Sequence, residues 1–421
     1  MNPDISKLKK NINSEVLTVV VYIFAVDTFM GGESIYIGAL INTLARVNSV
    51  SKIFVLINNR TDRNIVDKKY PLERVSYLNY CPFIKRFDNS LLNKIKKIIL
   101  FIGLISGLIR FFKRPIINRT KYRHNTLIVS PYIAPDLLLF SFPSIVNPQD
   151  FRSMYEQKST FNPLKAFKKI VSRTIYTSVL KNSFIVVDSK QNERDLYKFY
   201  YKYVKNSMII RSLPDFEEID NIRRDNKSET YIQIVNKYKL FREYLFYPAH
   251  LIPDNNHLNL LEALYIIKQK YNIEVNIILS GGRDDLKMDI LKKVENCGLN
   301  VKYLNYISYS EIVILMLNAK GLVFPSFIGP SLCIWEAFYL RVPVISSNVC
   351  TLAEQVGDAG LLFDPNNFED LAEKIYRIWT DENLRREIIQ KGYDRIKDIT
   401  LEKYTKQWEQ VIEEALNMRE L

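Results

Sequence analysis

A chain of 421 residues that is 47% hydrophobic, with only 13 glycines and 16 prolines, can bury two full cores, which excludes a largely disordered protein and a small disulfide scaffold. Its 59 Lys and Arg against 46 Asp and Glu give a formal charge of +13, so an anionic partner is expected, and nucleic acid, a nucleotide and acidic lipid all qualify. Cys81, Cys297, Cys333 and Cys350 have neither paired nor metal-ligand spacing, and Met1 to Glu15 lacks the apolar core of a signal peptide, so a cytoplasmic chain with reduced thiols is the expectation.

Val16 to Val26 is an almost continuous apolar, β-branched run, expected as a buried parallel strand. It leads into a turn with Gly31 and Gly32, after which Ile37, Leu40, Ile41 and Leu44 recur at helical spacing. Strand, glycine turn and helix suit a phosphate, although glycines also serve such turns for backbone clearance alone. Further strands are expected at Ile53–Ile57, Thr126–Ser130, Leu137–Phe142, Phe184–Asp188 and Met208–Ile210.

Within residues 91–114, the uncharged run from Ile98 to Ile109 is too short to cross ~30 Å of hydrocarbon, which takes about 20 residues. Lys94, Lys96, Lys97, Arg110, Lys113 and Arg114 flank it. Two readings stay open: a helix lying in the interface of an anionic membrane, and an internal helix with snorkelling lysines at its ends.

Residues 1–213 thus read as a first Rossmann-like domain and the charged, apolar-poor stretch 214–230 as a linker. Residues 231–400 alternate strands with helical segments, the strands falling at Tyr244–Pro248, Val275–Ser280, Val301–Leu304, Gly321–Phe324, Val344–Ser346 and Leu361–Phe363. Helices are expected at Phe368–Trp379 and Glu382–Lys397. In 401–421, Leu401, Tyr404, Trp408, Val411, Ile412 and Ala415 share one helical face.

The stretch from Gly321 to Asn348 carries the densest signal. Leu322 to Phe324 end a buried strand, Gly329-Pro330 make a turn, and Ser331 is placed to cap a short helix whose first N–H groups suit an anion. Leu332 and Glu336, four apart, share a face of that helix, which places a carboxylate one turn above the anion site; a solvated mid-helix glutamate is the plainer reading.

Pro325-Ser326, Gly329, Glu336-Ala337, Pro343 to Ser346, Glu354, Gly357 to Pro365 and Leu371-Ala372 together resemble the donor half of the retaining GT-B glycosyltransferases. The resemblance implies two Rossmann-like doubly wound α/β domains facing across a cleft, with a C-terminal helix crossing back to the first. It also implies a nucleotide diphosphate sugar as co-substrate, no cofactor or essential metal, and a glycan or lipid-linked acceptor in polysaccharide or glycolipid synthesis. Nucleic acid is not implied as a partner, and the setting would be cytoplasmic, peripheral to the inner face of the plasma membrane.

Residue by residue, the resemblance makes Gly329, Ser331 and His250 the groups that stabilise the departing diphosphate. Donor contacts would come from Gly31, Gly32, His250, Asn255, Arg283, Ser326, Gly329, Pro330, Ser331, Leu332 and Glu336, with Glu336 holding ribose. The chain departs from the family where Ile328 stands for the first glutamate, Ala249 for a glycine, His250 for an arginine and Asn255 for a lysine. Two lost charge-assisted bonds of roughly 1.5–3 kcal/mol each weaken donor binding substantially unless Arg283 or others substitute. A catalytically silent relative, binding a nucleotide or serving as a scaffold, is the alternative those losses suit. His124 and His257 have no carboxylate at ligand spacing, and the first domain offers Asn147 where relatives use a histidine near the transferred sugar.

Overall fold

A computed structural model describes residues 17–22, 32–58, 74–80, 126–133, 137, 142–148, 151, 173–225 and 228–418. Gly31, Cys81, His124 and the segment 91–114 lie outside the described residues. The chain divides into two compact units, Met1–Asp188 with Asn192–Arg211 and Leu401–Leu421, and Ser189–Gln191 with Ser212–Thr400.

The first unit holds β1 (Thr18–Tyr22), α1 (Gly32–Arg46), β2 (Lys52–Asn58), β3 (Val75–Tyr80), β4 (Thr126–Ser130), β5 (Ser144–Val146), β6 (Ser183–Val187), α2 (Lys190–Tyr200) and β7 (Ser207–Ile209). Its strands form one parallel sheet in the order β3-β2-β1-β4-β5-β6-β7. Val19, Val20, Val21, Phe184, Ile185, Val186 and Val187 are all buried, as a parallel sheet covered on both faces requires.

Of the strand expected at Leu137–Phe142, residues 138–141 lie outside the described residues, and the described ends, Leu137 and Phe142, are not in a strand. The described strand is Ser144–Val146, just after Pro143, whose carbonyl accepts the first ladder bond from Ile128 at 2.9 Å. Proline cannot donate to a ladder, so pairing begins with it rather than running through it; Leu137 and Phe142 pack in the core from outside the strand. The edge strand β3 went unrecognised because Ser76 and Asn79 interrupt its apolar pattern.

The second unit holds α3 (Phe216–Asp225), α4 (Ser228–Tyr238), β8 (Leu245–Pro248), α5 (His257–Tyr271), β9 (Ile277–Ser280), α6 (Lys287–Cys297), β10 (Val301–Tyr303), α7 (Tyr309–Leu317), β11 (Gly321–Phe324), α8 (Leu332–Tyr339), β12 (Val344–Ser347), α9 (Cys350–Val356), β13 (Leu361–Phe363), α10 (Phe368–Thr380) and α11 (Glu382–Ile396). The sheet order is β10-β9-β8-β11-β12-β13, all parallel. The winding reverses between β8 and β11, and in such sheets ligands bind outside the carboxyl ends of the strands at that reversal.

Within the stretch 214–230, read from sequence as a linker, Phe216–Asp225 form the helix α3. Asp215 caps α3 by accepting the Glu218 N–H at 3.0 Å, and Phe216, Ile219 and Ile222, three apart, turn one face into the second core. Phe216 sits 4.5 Å from the Tyr339 ring, centroid to centroid, and Tyr339 donates to Asp220 at 2.7 Å. The charges that suggested a linker are the solvated face of an amphipathic helix.

The last helix, α12 (Leu401–Asn417), belongs to the first unit, where it contacts α1, β5 and β6. Tyr404, Trp408, Val411, Ile412 and Ala415 are its buried face.

Candidate functional site

Three loops meet at the carboxyl ends of β8, β9 and β11. The first, after β8, carries His250 and a short 3-10 turn, Pro253–Asn255. Tyr247, buried at the end of β8, donates its hydroxyl to the Asn255 carbonyl at 2.9 Å and so folds this loop back over its own strand. The second loop, after β9, begins with Gly281. A Cβ there would lie 2.4 Å from the Ala249 carbonyl oxygen and 2.8 Å from His250 Cα, so only glycine lets the two loops approach.

That approach orients His250. Its Nδ1 accepts the N–H groups of Gly282 at 3.0 Å and Arg283 at 3.3 Å, which fixes the neutral ring as the Nε2–H tautomer. Burial, and secondarily the Arg283 guanidinium, hold its pKa below the ordinary histidine value. His250 therefore acts as a neutral N–H donor. The Arg283 side chain is exposed and pairs with Asp285 at 2.7 Å, a surface contact weak enough to be exchanged for a phosphate.

Asn255 and Ser326 bond each other. Asn255 is buried, with its amide nitrogen bonded to the His250 carbonyl at 2.8 Å and its oxygen accepting from Ser326 Oγ at 3.1 Å. Ser326 Oγ also accepts the Ile328 N–H at 3.1 Å, and the Phe327 N–H reaches the Asp254 carbonyl at 2.9 Å. A neutral amide cannot replace a lysine charge, but it can tie the β8 loop to the β11 loop, and here it does so.

Gly329 and Pro330 are joined by a cis peptide bond. A Cβ on Gly329 would lie 2.6 Å from the Leu352 side chain and 2.9 Å from Thr351 Oγ1, both on α9. Ser331 occupies the N-cap position of α8 with extended backbone, φ −127° and ψ 126°, but its hydroxyl makes no cap bond. Gln355 holds the Ser331 backbone: the Ser331 N–H donates to Gln355 Oε1 at 3.0 Å, and Gln355 Nε2 donates to the Ser331 carbonyl at 2.6 Å. The Ser331 amide is thus engaged within the protein. Half-buried Leu332 opens α8, and the anion-facing character of the helix start passes to the amides from Leu332 onward.

Glu336 is 1% exposed and is not a solvated mid-helix glutamate. Tyr309, the first residue of α7, donates its hydroxyl to Glu336 Oε1 at 2.8 Å, and Cys333 lies one turn earlier in α8. Burial raises the carboxyl to about 7; Tyr309 and Cys333 oppose the rise, and Glu218 and Asp215 add to it.

Tyr309 and Gln355 are the residues the sequence reading missed. The capping box Ser308-Tyr309-Ser310-Glu311, with both reciprocal bonds formed, marks Tyr309 as the opening residue of a helix. No spacing signals the Gln355 contact. Among the described residues, no group of three or more His, Cys, Asp or Glu is arranged to hold a metal, and no helix is long and apolar enough to cross a membrane.

In the first unit Gly32 opens α1. Asn147, buried just past β5, donates to Tyr36 Oη at 2.8 Å and to Asp188 Oδ1 at 3.3 Å. Burial first, then the charges of Tyr404 and Asp188, keep the Tyr36 phenol protonated.

Residues 231–395 match the family model described as glycosyl transferases group 1. Among characterised relatives, the chain is 28% identical over 243 residues to the O-antigen chain mannosyltransferase B of Escherichia coli, covering 52% of this chain and 64% of that protein. The chain thus spans under two thirds of that relative's length. Among solved structures, sucrose-phosphate synthase from Thermosynechococcus elongatus superposes with a TM-score of 0.67 at 18% identity, covering 96% of this chain and all of that one (100%). Anabaena HepE, solved in complex with UDP and glucose, gives 0.66 at 13% identity over 94% and 100%.

Proposed function

We propose that this chain, whose residues 231–395 match the group 1 glycosyl transferases and whose fold is GT-B, moves a sugar from a nucleotide diphosphate to a glycan or lipid-linked acceptor in surface polysaccharide assembly. The observation that carries the reading is the junction at the sheet reversal. There the N-terminus of α8, the neutral Nε2–H of His250 and the exchangeable Arg283 stand on loops that Asn255 and Ser326 bind together.

In the reaction we propose, retention follows from same-face displacement. The bond from the sugar C1 to the diphosphate oxygen breaks, the acceptor oxygen bonds C1 on that face, and the acceptor proton passes to the departing phosphate oxygen. His250 and the amides from Leu332 onward would stabilise the charge that develops, a role that needs preorganised donors and no protein base or metal. Glu336 would take a ribose hydroxyl in place of Tyr309. The hydrophobic segment 91–114 with its flanking lysines and arginines is proposed to bring the chain to an anionic membrane, where a lipid-linked acceptor would reside; pelleting with acidic but not neutral vesicles, lost when the six basic residues are neutralised, is the expected result.

Thermal-shift measurements with UDP-, GDP-, ADP- and dTDP-sugars test the donor reading: one nucleotide raises the melting temperature and its sugar is slowly released. Ile328 in place of the first glutamate, and the sealing of Glu336 by Tyr309, favour a second reading as a nucleotide-binding subunit without transfer. Binding without donor hydrolysis or transfer selects that second reading, and no shift with any donor removes the first.

A further inference from the structure

We infer that Gln355 is a positioning residue that holds the α8 N-terminus in the shape that receives a diphosphate, an inference that rests on the donor reading above. Its side-chain amide grips Ser331 at both backbone groups, accepting the N–H at 3.0 Å and donating to the carbonyl at 2.6 Å. This is the pairing a neighbouring strand would make, and it needs one donor and one acceptor side by side on one planar group. Glutamate keeps only the acceptor, and leucine keeps neither. Gln355 is 5% exposed, so each of its bonds is shielded from competing water.

Gln355 is itself fixed. From α11, Arg395 donates Nε to the Gln355 carbonyl at 2.7 Å and Nη2 to the Glu354 carbonyl at 2.5 Å, closing the C-terminal carbonyls of α9. Gly357, with φ +55°, ends α9 directly against that guanidinium, which would stand 3.1 Å from any Cβ placed there. Three and four residues before Gln355 in the same helix, Leu352 and Thr351 fill the space beside Gly329. One short helix therefore backs the loop at Gly329 by packing and at Ser331 by two hydrogen bonds. With the Ser331 amide engaged inward, the following amides of α8 are left in a fixed direction.

A merely structural glutamine would lower melting temperature and weaken every ligand alike. A positioning glutamine changes phosphate recognition selectively. The test compares Q355L with the unaltered chain by calorimetry against UDP, GDP and ADP and against the matching nucleosides, alongside hydrogen exchange at the Ser331 amide. Faster exchange at Ser331, about tenfold weaker binding of whichever diphosphate the unaltered chain takes, and nucleoside binding within about twofold are expected for the loss of one to two net hydrogen bonds. Q355M, which keeps the side-chain length but neither hydrogen-bonding group, is read the same way if Q355L does not fold. Unchanged Ser331 exchange, or equal weakening of nucleoside and diphosphate, overturns the inference. If Ser331 exchange rises but the unaltered chain binds none of the three diphosphates, the donor reading is what has failed, and the diphosphate role of Gln355 falls with it.

Discussion

The hydroxyl of Tyr309 donates to Glu336 Oε1 at 2.8 Å, and the carboxylate it reaches is 1% exposed. Tyr309 opens α7 and Glu336 lies one turn into α8, so the bond joins the two helices beside the sheet reversal. Burial, with the neighbouring Glu336 charge second, keeps the phenol protonated and able to donate.

Tyr309→Phe removes that donor and leaves a buried acceptor short of a bond, so unfolding free energy should fall by about 1–3 kcal/mol. On the donor reading, the same change frees Glu336 for ribose, and nucleotide affinity should rise several-fold, with less gain for the 2′-deoxy nucleotide. Paired chemical-denaturation and calorimetric titrations check both halves. A fall in nucleotide affinity would mean that Tyr309 itself touches the ligand.

Glu336 gives a prediction with a definite sign. Its folded pKa, raised to about 7, exceeds the ordinary carboxyl value of 4.5, so the folded state holds a proton that the unfolded chain has released. Stability from this group is full below 4.5 and is lost as pH rises through 7. Glu336→Gln should therefore be nearly neutral at pH 4.5 and relatively stabilising at pH 8, by up to about 3 kcal/mol at about 1.36 kcal/mol per unit. Melting curves of the two proteins that stay parallel from pH 4.5 to 8 would rule this out.

The second sheet was legible because each of its strands is a short apolar run bounded by turn residues, and Leu322 to Phe324 with Val344 to Ser346 are the plainest of them. The first sheet was harder to read. Ser144–Val146 is three residues long and hidden behind Pro143, and local pattern favoured the longer apolar run before it. At the site, residue types pointed to the loops that meet at the ends of β8, β9 and β11, but not to side-chain direction. Asn255 and Ser326 look like ligand groups in a sequence, yet they bond each other; Gln355 looks like nothing, yet it holds Ser331. Such pairings join positions 71 and 24 residues apart, which helix and strand periodicity cannot reach.

The glycine pair after β9 should behave asymmetrically. Gly281→Ala would force a methyl to 2.4 Å from the Ala249 carbonyl, whereas on Gly282 the nearest atom is the flexible Tyr306 ring at 3.5 Å, an ordinary contact. Gly281→Ala should cost about 1–3 kcal/mol and displace the His250 loop, while Gly282→Ala should stay within about 0.5 kcal/mol. Thermal melts, with the His250 ring resonances as reporter of the loop, distinguish the two.

His257 supplies the acid-side counterpart of Glu336. It opens α5 at 0% exposure, its ring 4.7 Å from that of Tyr247, and neither ring nitrogen has a protein partner. Burial lowers its pKa from 6.5 to about 3, so between those values the unfolded chain binds a proton that the folded chain does not. Stability is therefore unaffected by this group above 6.5 and is lost as pH falls toward 3, at up to about 1.36 kcal/mol per unit. His257→Phe keeps an aromatic ring against Tyr247 and removes the titration. Denaturation free energies of the two proteins should converge near pH 7 and separate steadily down to pH 4 in favour of the variant; a constant gap across that range would show that His257 takes up its proton in the folded state as readily as in the unfolded one.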